Sequence, residues 1–112
     1  MTPQALEAAA LALPGATLSV QWGADRVFKV GGRMFAVESS DGGLSFKATD
    51  IAYEALVESG AARPAPYLAR ARWVRFDDLA ALDAEEVTAW LATAHTLVAA
   101  KLTRAQRREL GL

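Results

Sequence analysis

Two stretches of the sequence concentrate positively charged side chains. Four arginines lie between positions 63 and 76 with no acidic residue among them, and four more cations lie between positions 101 and 108. Guanidinium and ammonium groups bind phosphate oxygens, and phosphate neutralisation supplies most of the sequence-independent affinity for nucleic acid. We therefore consider both stretches as candidate nucleic-acid contacts. Their cations are Arg63, Arg70, Arg72, Arg75, Lys101, Arg104, Arg107 and Arg108.

An aromatic residue stands inside the first stretch. Residues 72–76 are predicted to form a strand, and if Val74 and Phe76 face the core, then Trp73 and Arg75 project from the other face of the sheet. An aromatic ring among cations is what a base-stacking or groove-reading surface requires. The alternative is that Trp73 packs under the neighbouring proline segment and that the arginines are an ordinary solvated face.

The second stretch also allows two interpretations. A short final helix is predicted from Thr103 to near Gly111, and cations in the last turn of a helix complement its dipole by about 0.3–1 kcal/mol each without any ligand. Phosphate contact is the alternative, because Arg104, Arg107 and Arg108 lie on adjacent sides of that helix.

The sequence gives little support for catalytic or metal-binding chemistry. His95 is the single histidine, and no orienting carboxylate or nucleophile can be assigned to it. We therefore interpret it as a structural residue at the edge of the apolar stripe of the long helix. Asp83 and Glu86 are explained by helix capping. The chain has no cysteine, and it contains no phosphate-binding loop, dinucleotide fingerprint, nucleophile elbow or paired metal-binding histidines. We predict no enzyme activity, no cofactor and no metal site.

The proline-rich segment around Tyr67 has two interpretations. A rigid Pro64 to Tyr67 segment beside an arginine-bearing strand could form the rim of a ligand cleft or a protein-docking ledge. We prefer the alternative, in which the prolines reduce the entropy of the unfolded chain and Tyr67 caps the core.

Length and composition indicate one domain over residues 1–112. The chain is 53% hydrophobic and 22% charged, with a formal net charge of −1, which suits a folded domain and gives no overall bias toward nucleic acid. Pro14-Gly15 interrupts the longest uncharged run, and no basic residue precedes it as in a secretory signal. We therefore expect a cytoplasmic protein with no membrane partner, and a monomer by default.

The order of predicted elements indicates an α/β fold. A helix that begins after Thr2 and ends at Pro14-Gly15 precedes an antiparallel meander over residues 17–47. A second helix from about Asp50 to Ser59 leads into the proline segment, which we predict as loop, and then to the last strand. A long helix capped by Asp83 and the short helix at Thr103 complete the chain. We expect a mainly antiparallel, five-stranded sheet with helices packed on one face.

The Gly31-Gly32 pair predicts a two-residue hairpin, because glycine adopts the positive φ angles that such a turn requires. With that turn, Phe28 faces Phe35, and strand alternation places side chains on two faces. We predict that the inward face carries Phe28, Val30, Phe35 and Val37, joined by Leu44 and Phe46. We predict that the outward face carries Val27, Lys29, Met34, Ala36 and Glu38, together with Lys47.

These elements resemble the MmcQ/YjbR family of bacterial proteins over nearly the whole chain. The matching segments are Leu13-Pro14-Gly15, residues 27–36 of the hairpin, Pro66-Tyr67, Arg72-Trp73-Val74, Leu97-Val98, Lys101-Leu102 and the basic run 104–108. The resemblance implies a frataxin-like (CyaY-like) fold and a DNA-binding role through a "double wing" arrangement. It implies no reaction and no cofactor.

We therefore predict a non-enzymatic protein that contacts the phosphates of double-stranded DNA through two groups of residues. The outer-face patch is Lys29, Lys47, Arg70, Arg72, Trp73 and Arg75, and the C-terminal patch is Lys101, Arg104, Arg107 and Arg108. The alternative is a small protein-interaction or ligand-binding domain that uses the same outer face of the sheet and has no nucleic-acid role.

Overall fold

The computed structural model describes all 112 residues as a mixed α/β fold. The helices and strands follow the predicted order. They are α1 (Pro3–Leu11), β1 (Ala16–Gln21), β2 (Asp25–Val30), β3 (Arg33–Glu38), β4 (Leu44–Lys47), α2 (Asp50–Glu58), β5 (Arg63–Pro64), β6 (Trp73–Phe76), α3 (Ala84–Ala99) and α4 (Arg104–Glu109).

The strands form one open antiparallel sheet in the order β1-β2-β3-β4-β6-β5. The predicted antiparallel sheet is confirmed, with six strands instead of five. The additional strand is β5, two residues of the proline segment that pair with β6. It is confined to the sheet edge because Pro64 has no N–H to donate to a further strand. The last strand begins at Trp73, since Arg72 adopts a left-handed backbone with φ 63°.

The predicted hairpin is confirmed at its turn and departs from the prediction further along β3. Gly31 and Gly32 have φ angles of 58° and 78°, and Val30 pairs with Arg33. Phe35 then forms a β-bulge, so Phe28 pairs with Ala36 instead of Phe35.

One extra residue reverses the alternation of side chains beyond it. The prediction for Val37 was therefore wrong, because Val37 packs in an outer cluster with Val27. The predictions for Ala36 and Glu38 were wrong for the same reason. Ala36 joins the main core, and Glu38 is buried beside Arg26, which also contacts Glu7 of α1.

The main core lies between α1, α3 and the inner face of the sheet. Three nearly parallel rings connect α3 to two neighbouring strands: Trp90 stacks on Phe46 and Phe76 with centroid distances of 5.4 and 5.0 Å. Burying side chains of this size stabilises the fold by about 1.5–3 kcal/mol each. Leu44 and Val74 lie fully buried in the same cluster, as alternation predicts.

The helix starts predicted from the sequence are confirmed. The side chains of Thr2, Thr49, Asp83 and Thr103 each accept a hydrogen bond from a backbone N–H in the first turn of the helix that follows. Thr103 also forms a full capping box with Gln106. None of the four helices combines the length and apolar character that crossing a bilayer requires.

Candidate functional site

Trp73 lies on the outer face of the sheet, as predicted, but its ring is covered. It is only 4% exposed and packs with Val27, Val37 and Ala65, while Leu68 covers the cluster from the proline segment. The alternative interpretation, in which Trp73 packs under that segment, is what the structure shows. The ring is not presented for stacking on a base.

Arg75 also projects from the outer face, and acidic residues hold its guanidinium there. Nη2 lies 3.0 Å from Asp41, Nε lies 2.9 Å from Asp77, and Nη1 donates to the Ser39 hydroxyl at 3.0 Å. Burial acts to lower the pKa of Arg75, but the hydrogen bonds to Asp77 and Asp41 outweigh it and hold that pKa above its ordinary value. Arg75 is thus a fully charged group whose charge is already neutralised.

The two carboxylates are correspondingly stabilised in their ionised form. A hydrogen bond from the Gly43 backbone N–H and one from Arg75 lower the pKa of Asp41. Hydrogen bonds from Arg75 and Arg63 lower the pKa of Asp77. Arg63 thereby belongs to the same charge network, with its Nη2 2.8 Å from Asp77.

Two further cations of the outer-face patch have partners within the chain. The Lys47 ammonium donates to the Ala71 carbonyl at 2.6 Å, and burial, followed by the charge of Lys101, lowers its pKa. Arg72 lies 3.1 Å from Asp50 and 4.9 Å above the centre of the Tyr53 ring. The remaining members, Lys29 and Arg70, take part in no ion pair.

The C-terminal patch has a different electrostatic setting, because none of its four cations takes part in an ion pair. Arg104, Arg107 and Arg108 line one shallow depression of about 310 Å³ on α4. Buried Leu102 contacts the β2–β3 hairpin, and Leu110 lies beside Gly15. These two apolar contacts hold the short helix in place, with Arg104 and Arg108 exposed and Arg107 half-buried.

A cleft of about 490 Å³ occupies the outer face of the sheet, and we call it the outer-face cleft. Two exposed aromatic residues line it, Trp22 from the β1–β2 turn and Tyr67 from the proline segment. Val37, Ser45 and Arg75 contribute from the strands. The preferred prediction that Tyr67 caps the core was wrong, because its side chain is fully exposed.

The backbone positions both aromatic residues in an unusual way. Trp22 and Tyr67 adopt left-handed φ angles of 49° and 67°, which bulky side chains rarely do. Sequence reasoning did not select Trp22. The available signal was an aromatic residue directly before Gly23, in a turn where no strand partner could bury it.

His95 and the acidic residues have structural roles. His95 is buried, and its Nε2–H donates to the Pro14 carbonyl at 2.7 Å, so the histidine joins α3 to the turn after α1. Its ring also meets Phe35 edge-on. Asp78 and Asp83 accept hydrogen bonds from backbone N–H groups at the starts of the helical segments that follow them.

The comparisons with known proteins agree with this architecture. A family model described as YjbR matches residues 11–97. The crystal structure of the Deinococcus radiodurans protein DR2400, which has the family-model domain DUF419, is 28% identical with a TM-score of 0.81; the match covers 96% of this chain and 86% of that chain. No curated protein matches the chain.

The fold and its surfaces define a small α/β protein with a six-stranded antiparallel sheet and helices on one face. The family match covers more than three quarters of the chain. The chain therefore belongs to the YjbR family, as the resemblance to MmcQ/YjbR proteins implied.

Proposed function

We propose that this YjbR-family protein binds DNA and that its C-terminal patch makes the principal phosphate contacts. The observation that supports the proposal is the group formed by Arg104, Arg107 and Arg108, which surround one exposed depression without a carboxylate partner. A phosphate that enters this depression meets several guanidinium groups, each able to donate two hydrogen bonds, and displaces no internal ion pair.

The outer-face patch contributes less in this proposal. A phosphate at Arg75 would compete with Asp41 and Asp77, and a phosphate at Arg72 would compete with Asp50. Only Lys29 and Arg70 are free of ion pairs there, so the outer face adds at most a weak second contact.

The family supports the proposal on separate grounds. The resemblance to MmcQ/YjbR proteins implies a double-wing DNA-binding role, and the matched residues 11–97 end before the C-terminal patch begins. The family match over residues 11–97 therefore does not depend on the C-terminal patch, although the wider resemblance includes its basic run. We also propose that the protein is cytoplasmic and that it acts as a monomer.

The proposal predicts a particular dependence on salt. If the four cations of the C-terminal patch each neutralise one phosphate, the logarithm of the association constant falls with the logarithm of salt concentration with a slope of about −3.6. Affinity would then fall roughly 150-fold when monovalent salt rises fourfold. Binding through an apolar interface would change little over the same interval.

The test is a fluorescence-anisotropy titration of labelled duplex DNA at several salt concentrations. The first variant replaces Arg104, Arg107 and Arg108 with alanine, and its slope should fall to about −0.9 as three phosphate contacts are lost. The matched control replaces Lys29, Arg70 and Arg72 with alanine and should retain most of the wild-type slope. Both variants change the net charge from −1 to −4, so they are matched in total charge, and the control additionally releases Asp50 from its ion pair with Arg72.

Three outcomes contradict the proposal. Absence of binding at low salt removes DNA as a ligand. A larger loss in the control variant assigns binding to the outer face. Equal losses in both variants mean that overall charge, and no defined patch, governs binding. Thermal unfolding of each variant confirms that a loss of binding is not a loss of folding.

A further inference from the structure

We propose that the outer-face cleft is a binding site for a small planar aromatic molecule that is uncharged or positively charged. No member of the C-terminal patch lines this cleft, so the inference is independent of DNA binding. Its volume of about 490 Å³ lies within the range of roughly 300–1,000 Å³ typical of small-molecule sites.

The aromatic residues of the cleft are the first reason. Trp22 is 65% exposed and Tyr67 fully exposed, although side chains of this size gain most by burial. Both also occupy left-handed backbone conformations, and of the three non-glycine residues with positive φ these two are the ones that line the cleft. Strained backbone of this kind concentrates at ligand sites. Trp22 comes from a strand turn and Tyr67 from the proline segment, so two separate parts of the chain supply exposed rings on which a flat ring could stack.

Ser45 is the second reason, and it is independent of the first. Its side chain lines the cleft, the residue is only 8% exposed, and its hydroxyl makes no hydrogen bond within the protein. The hydroxyl oxygen itself is accessible from the cleft, since the buried unpartnered side-chain atoms are only Arg26 Nε and Glu38 Oε1, and it can therefore donate to or accept from a molecule that enters. A ligand with one hydrogen-bonding group beside its ring would supply the partner that this hydroxyl lacks.

The charges around the cleft decide which ring it takes. Asp25 lines the cleft and takes part in no ion pair, whereas Asp41 and Asp77 are paired with Arg75 and Arg63, so three carboxylates stand against two guanidinium groups. The surroundings of the cleft therefore have a surplus of negative charge. The ring faces of Trp22 and Tyr67 also attract cations. Anionic ligands, including the phosphates of a nucleic acid, are disfavoured.

The test uses three probes with the same ring and different charge: indole, which is neutral, tryptamine, which is cationic, and indole-3-acetate, which is anionic. Each is titrated into ¹⁵N-labelled protein while the Trp22 indole signal and the backbone signals of Val37 and Ser45 are followed by NMR. Indole and tryptamine should give saturable shifts with roughly millimolar dissociation constants, as expected for ligands of this size. Indole-3-acetate should bind about tenfold more weakly than tryptamine because of the surplus carboxylates.

Variants locate the site and its hydrogen bond. Trp22→Ala combined with Tyr67→Ala should abolish saturation, whereas Ile51→Ala, which truncates an exposed apolar residue elsewhere, should leave it unchanged. Ser45→Ala should weaken indole binding and leave N-methylindole unaffected, because only indole has an N–H to donate. Because Trp22 and Tyr67 are exposed, the double variant should retain the wild-type melting temperature.

Several results would overturn the inference. Unsaturable shifts with all three probes, or shifts that persist in the Trp22/Tyr67 double variant, show that the cleft is not the site. Tightest binding by the anion contradicts the argument from charge. Shifts of the same signals with protein concentration alone identify the cleft as a contact between two copies of the chain. Shifts on adding duplex DNA assign the cleft to nucleic acid instead.

Discussion

Leu102 lies in the connection between α3 and α4, and its contact with Gly31 allows the packing of this connection against the β2–β3 hairpin to be tested with one methyl group. A Cβ added at Gly31 would lie 2.7 Å from Leu102 Cδ2 and 2.8 Å from Cδ1. Gly32 provides the matched control, since it shares a positive φ and has open space where its Cβ would be. Gly31→Ala thus combines backbone strain with a steric clash, and Gly32→Ala imposes the strain alone.

The two variants should differ by the steric contribution. A non-glycine residue in the left-handed region costs about 1–2 kcal/mol, which is the destabilisation we expect for Gly32→Ala. Overpacking a filled site adds about 1–3 kcal/mol, and Leu102 is only 4% exposed, so its methyl groups have little space to rotate away. Gly31→Ala should therefore lower the free energy of unfolding by about 2–5 kcal/mol.

Equilibrium urea unfolding measures both variants, and a double-mutant cycle with Leu102→Ala identifies the partner. Leu102→Ala alone should cost about 2–5 kcal/mol, but with alanine at position 31 it also removes the clash. The double variant should then be about 1–3 kcal/mol more stable than the sum of the single effects predicts. Equal destabilisation by the two glycine variants, or strict additivity in the cycle, would refute the reasoning.

Three further predictions concern charged residues. Asp83→Ala should cost about 1 kcal/mol in urea unfolding by removing the α3 N-cap, and no change would contradict that role. Arg26→Met should cost about 3 kcal/mol because it leaves the buried Glu38 carboxylate without its cation, and Glu38→Gln in that background should recover part of the loss. The lowered pKa values of Asp41 and Asp77 mean that their stabilising contribution is complete above their ordinary pKa of 3.8 and is lost as pH falls below it. The melting temperatures of the wild type and the Asp41→Asn/Asp77→Asn variant should therefore converge in acid, and a pH-independent difference would contradict this.

Local signals in the sequence predicted most of the fold. Capping side chains hydrogen-bond to backbone groups only three residues away, so Thr2, Asp83 and Thr103 could be assigned from short segments. The Gly31-Gly32 turn is equally local. The order of elements and the antiparallel sheet follow from these boundaries and from the alternation between them.

The bulge at Phe35 shows where local reasoning stops. Phe35-Ala36 is apolar at both positions, and no turn residue marks the extra residue, so regular alternation was the simplest interpretation. The sheet admits the bulge because α1 and α3 bury Phe35 and Ala36 together on the inner face. The shifted alternation continues as far as Glu38, whose side chain turns inward to Arg26. Register beyond a bulge depends on tertiary packing, which no short segment specifies.

Site residues were harder to predict than elements, because their availability depends on distant partners. Alternation correctly placed Trp73 and Arg75 on the outer face. The groups that cover or neutralise them come from elsewhere: Asp41 precedes Arg75 by 34 positions, and the proline segment folds over Trp73. A stretch without acidic residues in the sequence is therefore not a stretch without acidic neighbours in the fold.

The same fact explains how a nearly neutral chain can keep two surfaces with opposite preferences. Its net charge is −1, yet the acidic residues are distributed unevenly. Asp25 lines the outer-face cleft and Asp41 and Asp77 hold the Arg75 guanidinium at its wall, whereas no carboxylate pairs with the C-terminal arginines. Anions should therefore bind at α4 in preference to the cleft, and this preference should weaken as salt is raised. The sign of a ligand's charge should accordingly determine which of the two surfaces it occupies.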